Sequence, residues 1–158
     1  MADYGTTDDV AALAPRYADG TGVFTVSTRP TLAQVTTFLN QVSSMLNSVL
    51  AEEGFTVPIT DAGVTPMLDA FANQEVAELV EGVNGSGRFG PKSEGGETSR
   101  FSVLNADVRG FIKGNRVGIE RMGAAKADTD EVAEGWFFVS ASRQDSYSEE
   151  AAASEYSS

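Results

Sequence analysis

Apolar residues between Thr31 and Gly54 recur at steps of three and four, which is the spacing of one face of an α-helix. The stripe consists of Leu32, Val35, Phe38, Leu39, Val42, Met45, Leu46, Val49 and Leu50. Thr31 and Gln34 have the spacing of a capping box, and Gly54 suits the left-handed conformation that ends many helices. The pattern predicts one long amphipathic helix, around which we expect the rest of the chain to pack.

The opposite face of this predicted helix is polar but carries no charge. It consists of Thr36, Thr37, Asn40, Gln41, Ser43, Ser44 and Asn47. A surface helix of a monomer usually carries Glu and Lys on this face, whereas small uncharged side chains suit the close approach of a neighbouring chain. The pattern fits either such a contact or plain exposure to solvent.

Two further helices are predicted from their capping residues. Residues 3–14 predict a short helix with a threonine cap, Thr6 or Thr7, followed by acidic residues in its first turn; it buries Val10 and Leu13 and stops before Pro15. A second long helix opens at residues 65–66, with Thr65 as its cap and a proline at its first helical position.

The later chain is predicted to contain one more helix. Helical periodicity covers residues 99–113, Gly114 and Asn115 are expected to end the helix, and residues 117–119 alternate like a brief extended piece. Residues 23–27 fit either a short strand or an extended loop. The predicted core consists of Val10, Leu13, Leu32, Val35, Leu39, Val42, Leu46, Leu68, Phe71, Leu79 and Phe111. The fold predicted is mainly α, a small helical bundle of about four helices with long loops and an extended C-terminal segment.

Composition divides the chain into four stretches. Residues 1–84 form the N-terminal helical part of the bundle, and residues 99–126 hold the later helix and the short extended segment. Between them, residues 85–98 are rich in glycine and predict a flexible loop, which lacks the Gly-Lys-Ser/Thr of a phosphate-binding loop. Residues 127–158 are a C-terminal extension that we expect to become ordered on a partner.

The composition excludes several kinds of chemistry. The chain has 158 residues, no cysteine and no histidine, so disulfides, thiolate metal sites and Ser-His or Cys-His catalysis are impossible. Its net charge of −12 argues against tight binding of nucleic acid. No apolar run reaches membrane-spanning length, and the acidic, polar N-terminus predicts no signal peptide. We expect a soluble protein of a reducing compartment.

Acidic residues occur in small clusters, at residues 8–9, 52–53 and 128–131. The first two fit helix ends, and the third lacks the glycine and distal glutamate of a calcium loop. Nothing supports a pair of catalytic carboxylates. We therefore expect no enzyme, no cofactor and no metal site.

Charge is arranged in three blocks along the chain. Residues 1–87 and 127–158 are acidic, whereas residues 88–126 hold 8 basic and 4 acidic residues. A basic block between two acidic ones can pair with copies of the same chain, or the acidic blocks can simply keep the protein soluble. Under the first interpretation the basic residues Arg109, Lys113 and Arg116 are predicted to lie between subunits.

The first 84 residues resemble a known protein family. The matching pattern is Tyr4 with residues 6–10 (Thr-Thr-Asp-Asp-Val), a loop ending in residues 28–35 (Thr-Arg-Pro-Thr-Leu-Ala-Gln-Val), the long helix, residues 55–59 (Phe-Thr-Val-Pro-Ile) and a second long helix. This pattern is similar to the head–tail connector proteins, also called adaptor or head-completion proteins, of long-tailed bacteriophages. Residues 99–119 match the family more loosely, and residues 85–98 and 127–158 match no family pattern.

The resemblance implies a structural protein of the virion. Family members are α-helical and assemble as a ring of about twelve subunits under the portal, in the neck between head and tail, with DNA passing through the hole. The expected partners are further copies of the chain, the portal protein, and a tail or stopper protein, with assembly in the host cytoplasm. Glu75, Glu78 and Glu81, at helical spacing, are predicted either to line this DNA channel or to form a solvated helix face.

The C-terminal extension contains the most apolar tetrapeptide of the chain. Trp136, Phe137, Phe138 and Val139 are followed by a polar stretch that includes Arg143 and Tyr147. These six residues are predicted to bind the portal or a neighbouring subunit, as an added strand or a plug. The alternative is that the tetrapeptide covers the core of its own chain.

A different class of function also fits the acidic composition. The chain would then be a small binding or regulatory module whose acidic segments mimic DNA. Sedimentation of the purified protein separates the two hypotheses, because only the connector is expected to form rings.

Overall fold

Four α-helices form the regular structure of the part of the chain that the structure describes. The computed structural model describes residues 2–83 and 100–127. The helices are α1 (Thr7–Leu13), α2 (Leu32–Glu52), α3 (Thr65–Val83) and α4 (Arg100–Arg121), with a short 3-10 helix at Pro15–Tyr17. Within the described ranges the strand-like pairing is limited to an isolated bridge between Phe55 and Lys126. The mainly α fold, a small helical bundle, is confirmed.

Helix α2 begins and ends as its sequence predicts. The Thr31 hydroxyl accepts a hydrogen bond from the Gln34 N–H, and the Gln34 side chain accepts one from the Thr31 N–H at 2.9 Å, which completes the capping box. Gly54 follows the helix with a φ of 85°. The buried apolar residues of α2 are Val35, Leu39, Val42, Leu46, Val49 and Leu50.

The other helices pack around α2. Helices α3 and α4 both contact it, and α1 rests on α3 and α2. Phe71 of α3 and Phe111 of α4 stack with their ring centroids 4.0 Å apart and their planes 17° from parallel. The core therefore lies between α2 and the inner faces of α1, α3 and α4.

The start of α3 differs from the prediction. Thr65 was expected to cap the helix, but its hydroxyl donates to the Asp61 carbonyl at 2.8 Å. The Asp61 side chain accepts a hydrogen bond from the Gly63 N–H at 2.8 Å, so Asp61 closes the turn that leads into the helix. The cap is displaced because the chain already turns at residues 61–64 before α3 begins.

Helix α4 is longer than predicted. Gly114 does not end it, and residues 117–119 are helical rather than extended, so both expectations are wrong. Ile112 and Ile119, seven residues apart, are both fully buried, and this packing outweighs the roughly 1 kcal/mol that a helical glycine costs relative to alanine. The chain leaves the helix at Gly123, whose φ is 104°.

Two residues of the predicted core lie at the surface. Leu13 is 57% exposed and Leu32 is 41% exposed, because each lies at the end of a helix beyond the helices that cover its neighbours. Helix α1 instead buries Val10 and Ala11. Phe71 and Phe111 are partly buried, and the remaining predicted core residues are buried.

The segment before α2 is a loop in which Phe24 and Pro30 are buried. Phe24 is buried, Val26 is 91% exposed, and the Leu32 N–H donates to the Thr25 carbonyl at 3.0 Å. Of the two alternatives for residues 23–27, the structure thus shows the loop.

After α4 the chain returns to the C-terminal end of α2. The Thr56 N–H donates to the Ala125 carbonyl at 2.8 Å, beside the Phe55–Lys126 bridge. Contacts group Met1–Lys126 in one unit. The predictions for residues 85–98 and for the extension beyond residue 127 lie outside the described residues.

Candidate functional site

Tyr4 joins three parts of the chain at one buried point. Its hydroxyl donates to Asn47 Oδ1 on α2 at 2.9 Å and accepts from the Ile59 N–H at 2.8 Å. Its backbone N–H donates to Ser43 Oγ, and Ser43 Oγ donates back to its carbonyl, both at 3.2 Å. Tyr4 is 1% exposed, and this burial raises the pKa of its hydroxyl above the ordinary 10.0.

Helix α3 holds the residues that follow Tyr4. The Gly5 N–H donates to Asp69 Oδ1 at 2.8 Å, and the Thr6 N–H donates to Asn73 Oδ1 at 2.9 Å. A Cβ added to Gly5 would lie 2.4 Å from Asn73 Oδ1, so a side chain at this position has no room. The Thr6 hydroxyl then caps α1 by accepting from the Asp9 N–H at 3.1 Å, so the predicted threonine cap is Thr6.

We call this hydrogen-bonded cluster the N-terminal joint; it consists of Tyr4, Gly5, Thr6, Ser43, Asn47, Ile59, Asp69 and Asn73. Sequence reasoning noted Tyr4 and the Thr-Thr-Asp-Asp run but missed the partners on α2 and α3. A signal was present, because Asn73 lies seven residues before Val80 and three before Val76 on the buried side of α3. A polar residue in such a position requires a hydrogen-bond partner.

Two basic residues of α4, Arg109 and Arg116, pair within the chain. Arg109 binds Glu52 with both terminal nitrogens, at 2.6 and 3.0 Å, and Arg116 Nε lies 3.3 Å from Glu53 Oε2. The Arg109 hydrogen bonds hold the pKa of Glu52 below its usual 4.5, and Lys113 adds a weaker attraction. In the folded chain Arg109 and Arg116 therefore meet Glu52, the last residue of α2, and Glu53, which follows it.

This pairing gives Arg109 and Arg116 partners within the chain, and the predicted inter-subunit role of Arg109, Lys113 and Arg116 stays a prediction. The order of the charge blocks along the sequence fits contacts between copies, but it does not show which segments meet in the fold. In the folded chain α4 packs along α2, which brings residues 57 positions apart in sequence into contact. Two of the three side chains thus have partners without a second copy.

The three glutamates predicted to line a channel do not form an exposed edge. Glu75 is 4% exposed, so its side chain is not part of an exposed edge. Glu78 and Glu81 are half-buried, and Glu81 accepts a hydrogen bond from Arg16 at 2.7 Å. Burial makes Glu75 unsuitable as a channel-lining residue in the isolated chain, so the predicted acidic edge is reduced to Glu78 and Glu81.

The outer face of α2 carries a shallow groove of about 440 Å³. Its lining consists of Thr37, Asn40, Gln41, Ser44, Met45 and Ser48. No side chain in this lining is charged, and most of them are exposed. We call this surface the uncharged α2 face.

A second depression, also of about 440 Å³, lies between the loop of residues 56–62 and the turn at Gly123. Asp61 supplies its carboxylate, and that carboxylate accepts the Gly63 N–H described above. One carboxylate engaged in a helix-initiating turn does not provide the acid and base of a hydrolytic site.

Clusters of metal ligands and membrane-spanning helices are both absent from residues 2–83 and 100–127. In these ranges no three metal-ligating side chains converge, and no helix has the length and apolarity needed to cross a membrane. Trp136, Phe137, Phe138, Val139, Arg143 and Tyr147 lie outside the described residues, so their predicted role in binding stays a prediction.

Comparison with known proteins adds no relative. No protein-family model, curated protein or solved structure matches the chain.

Proposed function

We propose that this protein is a ring-forming subunit of the head–tail connector of a long-tailed bacteriophage. In this role it lies in the neck of the virion, between the portal and the tail or stopper protein, and it completes the head while leaving a hole for DNA. The ring holds about twelve copies, in line with the family that the N-terminal half resembles.

The observation that carries the proposal is the N-terminal joint. The resemblance rests on separate stretches of sequence, namely residues 4–10, the long helix, residues 55–59 and the second long helix. Tyr4 is hydrogen-bonded to α2 and to Ile59, and Gly5 and Thr6 are hydrogen-bonded to α3. Because these stretches share one buried hydrogen-bond network, a change in one of them affects the others. This dependence supports the interpretation that they belong to a single family pattern.

The charge of the protein suits the passage of DNA. A net charge of −12 repels the phosphate backbone, so DNA would slide past the ring without binding to it. Glu78 and Glu81 are the members of the predicted channel lining that keep exposed surface. The proposal requires them to face the hole.

The C-terminal extension is the proposed portal-binding element. Its apolar residues, Trp136 to Val139, supply the aromatic anchors that are common at the centre of protein interfaces, and Arg143 and Tyr147 supply polar contacts. The chemistry of the proposed function is therefore recognition and assembly, with no catalytic step.

The test is binding of the full chain to the portal ring encoded in the same genome. We expect co-sedimentation with the portal, a ring visible by negative-stain electron microscopy, and loss of binding in a chain truncated after Glu134. Circular dichroism of the truncated chain controls for folding. A full chain that stays monomeric beside the portal and instead displaces DNA from a DNA-binding protein would replace the proposal with the DNA-mimicking module.

A further inference from the structure

Helix α2 lacks charge to a degree unusual for this protein. Of its 21 residues only the last, Glu52, is ionisable, whereas 22% of the whole chain is charged. Burial explains the inner face of the helix, but Thr37, Gln41 and Ser44 on the outer face are exposed. An exposed helix face in a protein of net charge −12 would ordinarily carry charged side chains.

The outer face of α2 also has features that lower the cost of removing its bound water. The hydroxyls of Thr36 and Thr37 donate to the carbonyls of Leu32 and Ala33, each at 2.9 Å, so these two donors already have partners inside the helix. Burying such a surface leaves fewer unsatisfied polar groups than burying an ordinary polar face. Met45, half-buried in the groove, adds an adaptable apolar contact.

The charge of the protein indicates what can cover this face. Nucleic acid would need basic side chains, and a basic protein would be held by acidic ones; the uncharged α2 face offers neither. Two copies of a chain with net charge −12 repel each other wherever their acidic surfaces meet. A surface without charge is where such copies can approach most closely.

We propose that the uncharged α2 face is the contact between neighbouring copies of this chain. The inference rests on the proposed ring, and it names the surface through which that ring forms. In a ring the contact is head-to-tail, so α2 of one copy meets a different surface of the next. Arg109 and Arg116 of α4, which pair with Glu52 and Glu53 in their own chain, are not required for this contact.

The chain offers a matched pair of substitutions that tests the contact. Gln41→Glu adds one negative charge inside the groove, and Gln74→Glu adds the same charge on an exposed position of α3. We expect Gln41→Glu to weaken association of the full chain roughly tenfold or more and Gln74→Glu to change it little, because a like charge is then buried between copies. Sedimentation of the full chain, alone and with the portal ring, measures the effect, and thermal unfolding checks that both variants fold.

Cross-linking identifies the occupant independently. Because the chain has no cysteine, Ser44→Cys accepts a single benzophenone label at the groove, and Gln74→Cys serves as the control. We expect products with the mass of two chains from Ser44→Cys alone. A product joining Ser44→Cys to the portal, or equal homodimer yields from both labels, would overturn the proposal.

The outcomes separate this inference from the proposed function. If Gln41→Glu and Gln74→Glu form rings equally well, the proposed α2 contact is wrong and the proposed ring is retained. An assembly that stops at two copies, yet is weakened by Gln41→Glu, supports the contact and overturns the ring. A full chain that remains monomeric under every condition overturns both.

Discussion

Removing the hydroxyl of Tyr4 tests whether the N-terminal joint holds the fold together. In Tyr4→Phe the ring is kept, but the Asn47 side chain loses a donor and the Ile59 N–H loses its acceptor. Ile59 is 5% exposed, so its N–H would be left buried without a partner, which costs about 1–3 kcal/mol. Asn47 is half-buried, so its side chain can form a hydrogen bond with water instead. We therefore expect a total loss of about 1.5–3 kcal/mol in the free energy of unfolding.

Urea unfolding followed by circular dichroism measures this loss. A double-mutant cycle with Asn47→Ala separates the part due to the Asn47 hydrogen bond from the part due to the Ile59 N–H. The cost of Tyr4→Phe that persists in the Asn47→Ala background belongs to the Ile59 N–H. A loss below about 0.5 kcal/mol, the range of ordinary surface substitutions, would mean that Tyr4 does not join these segments.

The same variant has a signature in alkaline solution. Burial raises the pKa of Tyr4 above 10.0, so the neutral hydroxyl is favoured in the folded state. Its contribution is fully present below pH 10.0 and is lost as the pH rises toward the folded-state pKa. The stability of the natural chain should therefore fall faster than that of Tyr4→Phe above this pH. Parallel curves would contradict the burial of the hydroxyl.

Three other substitutions are expected to change the stability of the fold, one of them raising it and two lowering it. Gly5→Ala should destabilise the protein by about 2–5 kcal/mol in urea unfolding, because φ is 80° and the new Cβ would meet Asn73 Oδ1; a neutral result would refute that close approach. Gly114→Ala should stabilise it by about 0.5–1 kcal/mol, since this exposed helical position has nothing within 4 Å of an added Cβ, and a loss would reveal a hidden neighbour. Glu52→Gln should be less stable than the natural chain near neutral pH. Because Arg109 lowers the pKa of Glu52, this difference should shrink as the pH falls below 4.5, and a constant difference would argue against the ion pair.

The sequence predicts those parts of the fold that depend on neighbouring residues. The capping box at Thr31 and Gln34, the stripe of α2 and the cap at Thr6 each lie within a few positions, so local spacing is sufficient to find them. Gly114 shows the limit of this reasoning. The glycine is a local helix-breaking signal, but the burial of Ile119 in the core stabilises the helix by more than the glycine costs. The periodicity of the sequence does not measure this stabilisation.

The candidate surfaces were predicted less well than the helices. Asn47 and Asn73 meet the N-terminal segment across 43 and 67 positions of sequence, and no local pattern encodes such a pairing. Charge blocks show the sign of a segment but do not identify its partner, so they do not predict the pairing of Arg109 with Glu52 of the same chain. The uncharged outer face of α2 was visible in the sequence, whereas its groove required the folded helix.

The internal pairing of the basic block changes what salt should do to assembly. If subunits met through ion pairs between acidic and basic blocks, salt would weaken the ring, because exposed charges more than about 10 Å apart are screened at 0.1 M ionic strength. If subunits meet through the uncharged α2 face, salt has the opposite effect on association. Salt then screens the repulsion between copies of net charge −12 and leaves the contact itself unaffected. We therefore expect the association measured by sedimentation to strengthen as sodium chloride rises from about 0.05 to 0.5 M. The Glu52–Arg109 pair weakens over the same range, so thermal unfolding at each concentration must show that the subunit stays folded. Association that falls with salt while the subunit stays folded would restore Arg109, Lys113 and Arg116 as contacts between subunits and would remove α2 from that role.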